Sequence, residues 1–233
     1  MAPQLGIGNS VSAEPVSTLI LGNTYSVDFD GTNQRADFGT PSVFASQALN
    51  TFDCTLAAWA KFDTINSYEA IVCLGTFDLE IAPTTSTGVG IWVDNAAYGG
   101  SLFTPVMGEW NHYVATKDGN TYTLYVNGAQ IGQSDDSDNA TIGTTSYIGH
   151  NGSEAFFDGD IDEVAVFDSA LSAGEIVSIY NGGKPQSLAS YNPVGWWRMG
   201  DNDGGTGSTI TDQGSGINDA VLVNSATIST TIP

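Results

Sequence analysis

The stretch WNHYVATKDGNTYTLYVNG, Trp110 to Gly128, decides the fold. Trp110, His112, Val114 and Thr116 alternate with Asn111, Tyr113, Ala115 and Lys117, the period of two that a strand imposes on its faces. Asp118-Gly119-Asn120 interrupts the pattern, and Thr121-Tyr122-Thr123-Leu124-Tyr125-Val126 resumes it in the returning strand. Asn127-Gly128 marks a further tight turn. Asp-Gly and Asn-Gly tolerate the positive φ of short hairpin turns, so the stretch reads as a β-hairpin.

Working outward, more short strands appear on both sides. Thr24 to Gly31, Ala36 to Gly39, Phe52 to Phe62, Ala70 to Leu74, Phe77 to Ile81 and Gly88 to Val93 precede the hairpin. Ser146 to His150, Phe156 to Phe167, Val194 to Met199, Ser208 to Asp212, Ala220 to Val223 and Ala226 to Ser229 follow it. One helix is written, near 171–181. Ser172 caps it, Glu175 completes a capping box, Leu171, Ile176, Ile179 and Tyr180 give an apolar stripe, and Gly182-Gly183 ends it. About a dozen strands with turn signals every 8–12 residues, and one helix, predict an all-β jelly-roll sandwich of two antiparallel sheets. Residues 1–24 have no periodicity and read as an N-terminal arm, which packs either on its own domain or, the favoured reading, on a partner subunit. Residues 25–233 form the domain, with 190–233 as its C-terminal strands.

The chain has 233 residues, and its 26 Asp and Glu face only 5 Lys and Arg, a formal net charge of -21. Arg35, Lys61, Lys117, Lys184 and Arg198 cannot build a cationic patch, which excludes a nucleic-acid partner and disfavours an anionic membrane surface. No run reaches the length of a membrane-spanning helix. Cys54 and Cys73 fall in two predicted strands and read as buried free thiols, with one bridge open if the strands are neighbours. The N-terminus lacks a basic region, and Val16 to Leu21 is short for a signal peptide core, so no export signal is expected.

Four stretches resemble one superfamily, the laminin-G-like, concanavalin-A-like jelly rolls that include pentraxin-like domains. They are Val27-Asp28-Phe29-Asp30-Gly31; Cys54 to Trp59 (CTLAAW); the Trp110–Gly128 hairpin; and Phe157 to Val164 (FDGDIDEV) with Ala170 to Ile176 (ALSAGEI). They occur in the family's order over residues 25–181. A fifth stretch, Gly195 to Asp201 with Asp212 to Ala220, looks like a family segment that in many members precedes the Phe-Asp-Gly strand; here it follows the helix. That order fits either a circular permutant that closes its own sandwich or strands added to a neighbouring subunit.

The resemblance covers lectins, adhesion modules and glycosidases, so function rests on residues. Asp160-Ile161-Asp162-Glu163 invites a glycosidase reading. Such enzymes need carboxylates at alternate positions of one strand, and positions 160, 162 and 164 are Asp, Asp and Val, with Glu163 expected on the other face. His112 and His150 lie beside no nucleophile motif. No catalytic residue is therefore assigned. Calcium, a hard cation that takes carboxylate oxygens, suits Asp28, Asp30, Asp160 and Asp162, and the resemblance implies a structural ion there in some members. The Asp135–Asp138 and Asp201–Gly204 loops are secondary candidates. Trp92, Tyr98, Tyr68, Tyr147 and Asn151 are the candidate carbohydrate platform, aromatic faces with an amide for hydroxyls. Trp59, Trp110 and Trp196 read as packing residues, and one of Trp196 and Trp197 is expected to face outward.

These features predict a non-enzymatic surface protein. The first expectation is a virion subunit, decorating a phage capsid or tail, that contacts other virion proteins through arm and tail, forms a homo-oligomer and attaches to host glycans. The alternative is a secreted carbohydrate-binding or adhesion module, and a jelly-roll glycoside hydrolase is third. The location expected is a virion surface or the extracellular space.

Overall fold

The computed structural model describes residues 22–45, 47–48, 51–81, 88–93, 96–135, 142–153 and 156–233. The arm read over residues 1–24 lies outside these except for 22–24, and so do Asp136 and Asp138.

The strands alternate in period two, and each sends one face inward. In chain order they are β1 (Ser26–Asp30), β2 (Arg35–Asp37), β3 (Cys54–Phe62), β4 (Ala70–Leu74), β5 (Phe77–Ile81), β6 (Val89–Val93) and β7 (Ala96–Phe103). The deciding hairpin is β8 (Trp110–Asp118) and β9 (Thr121–Val126), and β10 (Ala129–Asp135) returns after Asn127-Gly128. Then come β11 (Ser146–Ile148), β12 (Asp158–Phe167), the helix α1 (Ala173–Tyr180), β13 (Gly195–Trp197), β14 (Thr209–Ile210), β15 (Ala220–Val223) and β16 (Thr227–Ser229).

The strands make two antiparallel sheets. The first runs β10-β9-β8-β3-β12-β1-β16, with β13 on the far half of β12; the second runs β14-β15-β2-β11-β4-β5-β6-β7. The molecule is a jelly-roll β-sandwich. Inward residues of both sheets form one core, including Val27, Phe29, Leu56, Phe62, Tyr113, Leu124, Ile161 and Val166 from the first and Phe77, Leu79, Val89, Ile91 and Ile148 from the second. Cys54 and Cys73 are free and buried, on β3 and β4 of opposite sheets.

A second apolar cluster forms on the outer face of the first sheet. Leu171, Ile176 and Ile179 lay α1 over Ala57, Val114, Tyr125, Ala165 and Phe167. The helix starts as its sequence dictates: Ser172 Oγ accepts from the Glu175 amide, and the Glu175 carboxylate accepts from the Ser172 amide at 2.8 Å. It ends at Asn181, left-handed at φ 50, one residue before the glycines expected to stop it.

The tail is woven through its own chain. Ser26 pairs with Ser229 in β1–β16, Asp37 with Val221 in β2–β15, and Ala165 with Trp196 in β12–β13. The expectation for the tryptophan pair is corrected here, since neither faces solvent. Trp197 enters the inter-sheet core and Trp196 the cluster under α1. The alternation held, but each face of β13 meets its own apolar layer.

Candidate functional site

The outer face of the second sheet carries the site. Phe77 and Leu79 point into the core, so Asp78 and Glu80 project outward together from β5. Strand register then sets Asp37, Tyr147, Cys73, Asp78 and Trp92 side by side on five consecutive strands. Successive members of this row stand about 4.8 Å apart along the hydrogen-bonding direction. The segment after β11 and the β4–β5 turn bound a cavity of about 280 Å³, lined by Thr76, Asp78, Thr145, Tyr147, Asn151 and Ser153 with Gly75 and Gly152.

Its polar groups are partly engaged. Asn151 Nδ2 donates to Glu80 Oε2 at 3.2 Å, and Asn151 Oδ1 accepts from the Ser153 amide at 3.0 Å. The Arg35 guanidinium lies 5.5 Å from the Tyr147 ring centre and holds Asp37 through two nitrogens, at 2.6 and 3.2 Å. Thr76 Oγ1 and Asp78 Oδ1, by contrast, are enclosed with no hydrogen-bond partner, and so is Trp92 Nε1 on the neighbouring strand. Enclosed polar atoms without partners are costly, by about 1–3 kcal/mol each, unless a ligand or water meets them. Burial pushes the Glu80 carboxyl up to about 7 against the opposing Asn151 bond. Burial, then the charge of Glu80, holds Asp78 well above the carboxylate range.

The five expected carbohydrate residues separate in the structure. Tyr147 and Asn151 line the cavity. Trp92 stands beside Asp78 but is only 9% exposed, so its ring is not an open platform. Tyr98 faces inward across from Ile91 and stacks on buried Tyr122 at 5.0 Å. Tyr68 sits in the turn before β4 with φ 69, outside the cavity lining. Thr76, Asp78 and Glu80 were not anticipated. The signal was present in FDLEI, where two carboxylates share one face of an otherwise apolar strand.

Three of the four aspartates proposed for calcium have other partners. Asp28 and Asp160 are cross-strand neighbours on the outer face of the first sheet. Between such carboxylates a metal would sit, but Asp160 meets the Lys61 ammonium at 2.6 Å and Ser26 Oγ at 3.0 Å. Asp30 caps its own turn through the Thr32 amide, and Asp162 accepts from Asn23 Nδ2 and the Glu163 amide. Of the secondary loops, Asp203 takes the Thr211 amide and Asp201 takes Arg198. Among the described residues no three His, Cys, Asp or Glu side chains gather as metal ligands. This donor set does not fit a calcium cage.

Glu163 departs from the expected alternation. A bulge between Asp162 and Ala165 places it at φ 47. Its carboxylate accepts Trp196 Nε1 at 2.6 Å and Arg198 Nε at 2.9 Å, and Arg198 also reaches Asp201 and the Gly22 carbonyl. Asp160, Asp162 and Glu163 are thus held by scaffold contacts. His112 is buried between Trp59 and Tyr180, and burial lowers it to about 3. His150 stacks on Phe156 at 4.2 Å.

Comparison with known proteins places this architecture. A search of curated proteins returns no match. Among solved structures, a Bacteroides ovatus ATCC 8483 protein assigned to carbohydrate binding shares the fold at TM-score 0.67 and 19% identity. That alignment covers 91% of this chain and 61% of the other, so this chain spans about three fifths of that protein. The heptameric SAP-like pentraxin of Limulus polyphemus aligns at TM-score 0.52 and 18% identity, over 70% of this chain and 86% of its own. A Trypanosoma rangeli sialidase aligns at TM-score 0.50 and 14% identity over 69% of this chain and 29% of its own. Residues 30–177, from the end of β1 into α1, match the laminin G family described as the concanavalin A-like lectin/glucanases superfamily. The chain belongs to that superfamily.

Proposed function

We propose that the chain is a non-enzymatic carbohydrate-binding domain that holds a saccharide in the cavity of Thr76, Asp78, Tyr147 and Asn151. One observation carries this reading: a polar cavity of about 280 Å³ on an outer sheet face has enclosed Thr76 and Asp78 oxygens without partners. Sugars present several hydroxyls that donate and accept at once, which such a lining needs, and Tyr147 offers an apolar edge to a ring face. The lectin-type family and the Bacteroides ovatus relative assigned to carbohydrate binding support the same class. A binding role rather than hydrolysis is supported by the Lys61, Asn23, Trp196 and Arg198 contacts that engage Asp160, Asp162 and Glu163.

The test is a glycan array followed by titration of the hits. Thr76→Val or Asp78→Asn is expected to weaken binding by roughly 5- to 100-fold, the loss of one enclosed hydrogen bond. Unchanged affinity in both variants would overturn the site, and release of reducing sugar would overturn the non-enzymatic reading.

A second reading is a particle-surface subunit, such as a phage decoration protein, that assembles through residues 1–24. The heptameric state of the pentraxin that shares the fold supports self-assembly. The tail is the weaker contact, because β13, β15 and β16 pair with β12, β2 and β1 of their own chain. Light scattering on the full chain and on one lacking residues 1–21 separates the two: an oligomer that becomes monomeric favours the particle.

A further inference from the structure

Resting on the saccharide reading above, we propose that the cavity selects a sugar that carries a free amine, a hexosamine, over the neutral parent hexose and against anionic sugars. The carboxylate at the cavity wall is Asp78, and Glu80 lies just outside the lining, joined to it through Asn151. Asp78 and Glu80 project from the same face of β5; the Asp78 carboxyl meets the Cys73 thiol but its Oδ1 is enclosed without a partner, and Glu80 meets an amide, Asn151 Nδ2, among the bonds described. Facing them are Cys73 from β4, Trp92 from β6 and Tyr147 from β11, with His150 against Tyr147 and the Arg35–Asp37 pair beyond it. None is a cation free to neutralise two carboxylates, because Arg35 is already clasped by Asp37.

The shortage extends to the whole sequence. The chain has five Lys and Arg in all. Besides Arg35, Lys61 is on Asp160, Arg198 is on Glu163 and Asp201, and Lys117 Nζ donates to the Phe52 and Gly119 carbonyls. Lys184 is exposed and follows α1, the helix that covers the other sheet. Among the five lysines and arginines none is left to meet Asp78 and Glu80, so in this proposal the compensating charge comes with the ligand.

An ammonium supplies it. Buried carboxyls without a cation keep their protons, and burial accordingly raises Asp78 and brings Glu80 to about 7. An ammonium set against them forms charge-assisted hydrogen bonds roughly twice as strong as neutral ones. Thr76 Oγ1 is then available to a neighbouring hydroxyl, and Tyr147 borders the ring. A uronate or sialate carboxylate would instead meet like charge wherever Asp78 or Glu80 is ionised. The linkage has a definite sign. The ammonium favours the ionised carboxyls and lowers their pKa, so binding releases a proton and tightens as pH rises toward 7. A neutral hexose has no such requirement.

The experiment is an NMR titration of the full chain with D-glucosamine, D-galactosamine, their parent hexoses and D-glucuronate, at pH 5.5 and 7.0. At pH 7.0 an amine sugar is expected to bind on the order of tenfold more tightly than its parent hexose, with shifts at Thr76, Asp78 and Asn151. At pH 5.5 its affinity is expected to drop by about tenfold, as Glu80 becomes protonated. Asp78→Asn and, independently, Glu80→Gln are each expected to reduce both the preference and the pH dependence, with folding checked by their amide spectra. Equal affinity for amine and hexose, or tighter binding of glucuronate, would overturn the selectivity and leave the saccharide reading standing. No binding by any sugar here or on the array, or shifts confined to other faces, would overturn the saccharide reading itself.

Discussion

Glu163 shows how one residue ties distant segments together. It is 4% exposed, in a left-handed conformation that only the bulge of β12 makes available. Burial raises its carboxyl, and the Arg198 charge opposes that rise. Arg198 is equally buried, so the pair is held by its hydrogen bonds rather than by bulk charge. Arg198→Ala removes the partner of a buried carboxylate and frees Gly22 and Asp201 from the same guanidinium. The expected loss of stability is about 3–5 kcal/mol in denaturant unfolding. Arg198→Met, which keeps the stem but not the charge, is expected to lose nearly as much; a loss below about 1 kcal/mol in both would show that the pair is not holding the segments. Asp212 does similar work by backbone contacts alone, since its two oxygens accept the Trp196, Gly214 and Asn218 amides. This explains the Asp-rich family segment around it as loop structure rather than ligand chemistry.

At the scale of elements, sequence and structure agree where local chemistry dictates geometry. The hairpin is written in Asp118-Gly119 and Asn127-Gly128, and the Ser172–Glu175 box fixes the start of α1. β7 and β10 carry no clear strand signal in the sequence. AAYGGSLF has two glycines and no clean alternation, and AQIGQSD is a polar strand at a sheet edge. The site was legible in half. Tyr147 and Asn151 could be picked as a loop-side aromatic and amide, whereas Asp78 and Glu80 gain their meaning from the depth at which the fold buries them. FDLEI shows that the two share a face, but not that the fold encloses that face. The tail also reveals its role only in the sheets. Deleting residues 190–233 removes Trp197 from the core and uncovers β1 and β2, so the truncated chain is expected to be insoluble. A soluble, folded truncation product in a light-scattering measurement would mean that those strands serve a neighbour.

Over the whole molecule, acidic surplus and buried carboxyls act in the same direction. Burial raises Glu69 and Glu80 from an ordinary 4.5 to about 7, and Asp78 and Asp162 rise well above 3.8. The folded state therefore holds protons that the unfolded chain has released. From these carboxyls stability falls as pH rises between about 4.5 and 7, and their contribution is fully present only below that window; His112, lowered to about 3, acts in the opposite sense up to its ordinary 6.5 and offsets part of the fall. The melting temperature is expected to be lower at pH 8 than at pH 5, with each of the two glutamates contributing on the order of 2 kcal/mol. Glu80→Gln should flatten the profile; a melting temperature that climbs steadily from pH 5 to 8 would contradict these burials.

The pairing of the first strand with the last has a mechanical consequence. Ser26 lies opposite Ser229 on antiparallel strands, and β16 is at the sheet edge. A force that pulls the two ends of the domain apart therefore loads the β1–β16 hydrogen bonds one after another, as a zipper opens, instead of shearing them together. The domain should yield under tension at low force from this corner inward, while the same load applied along β3 and β12 would meet many bonds at once. A carrier stretched by its surroundings would lose this fold early unless something bound across that corner held it shut.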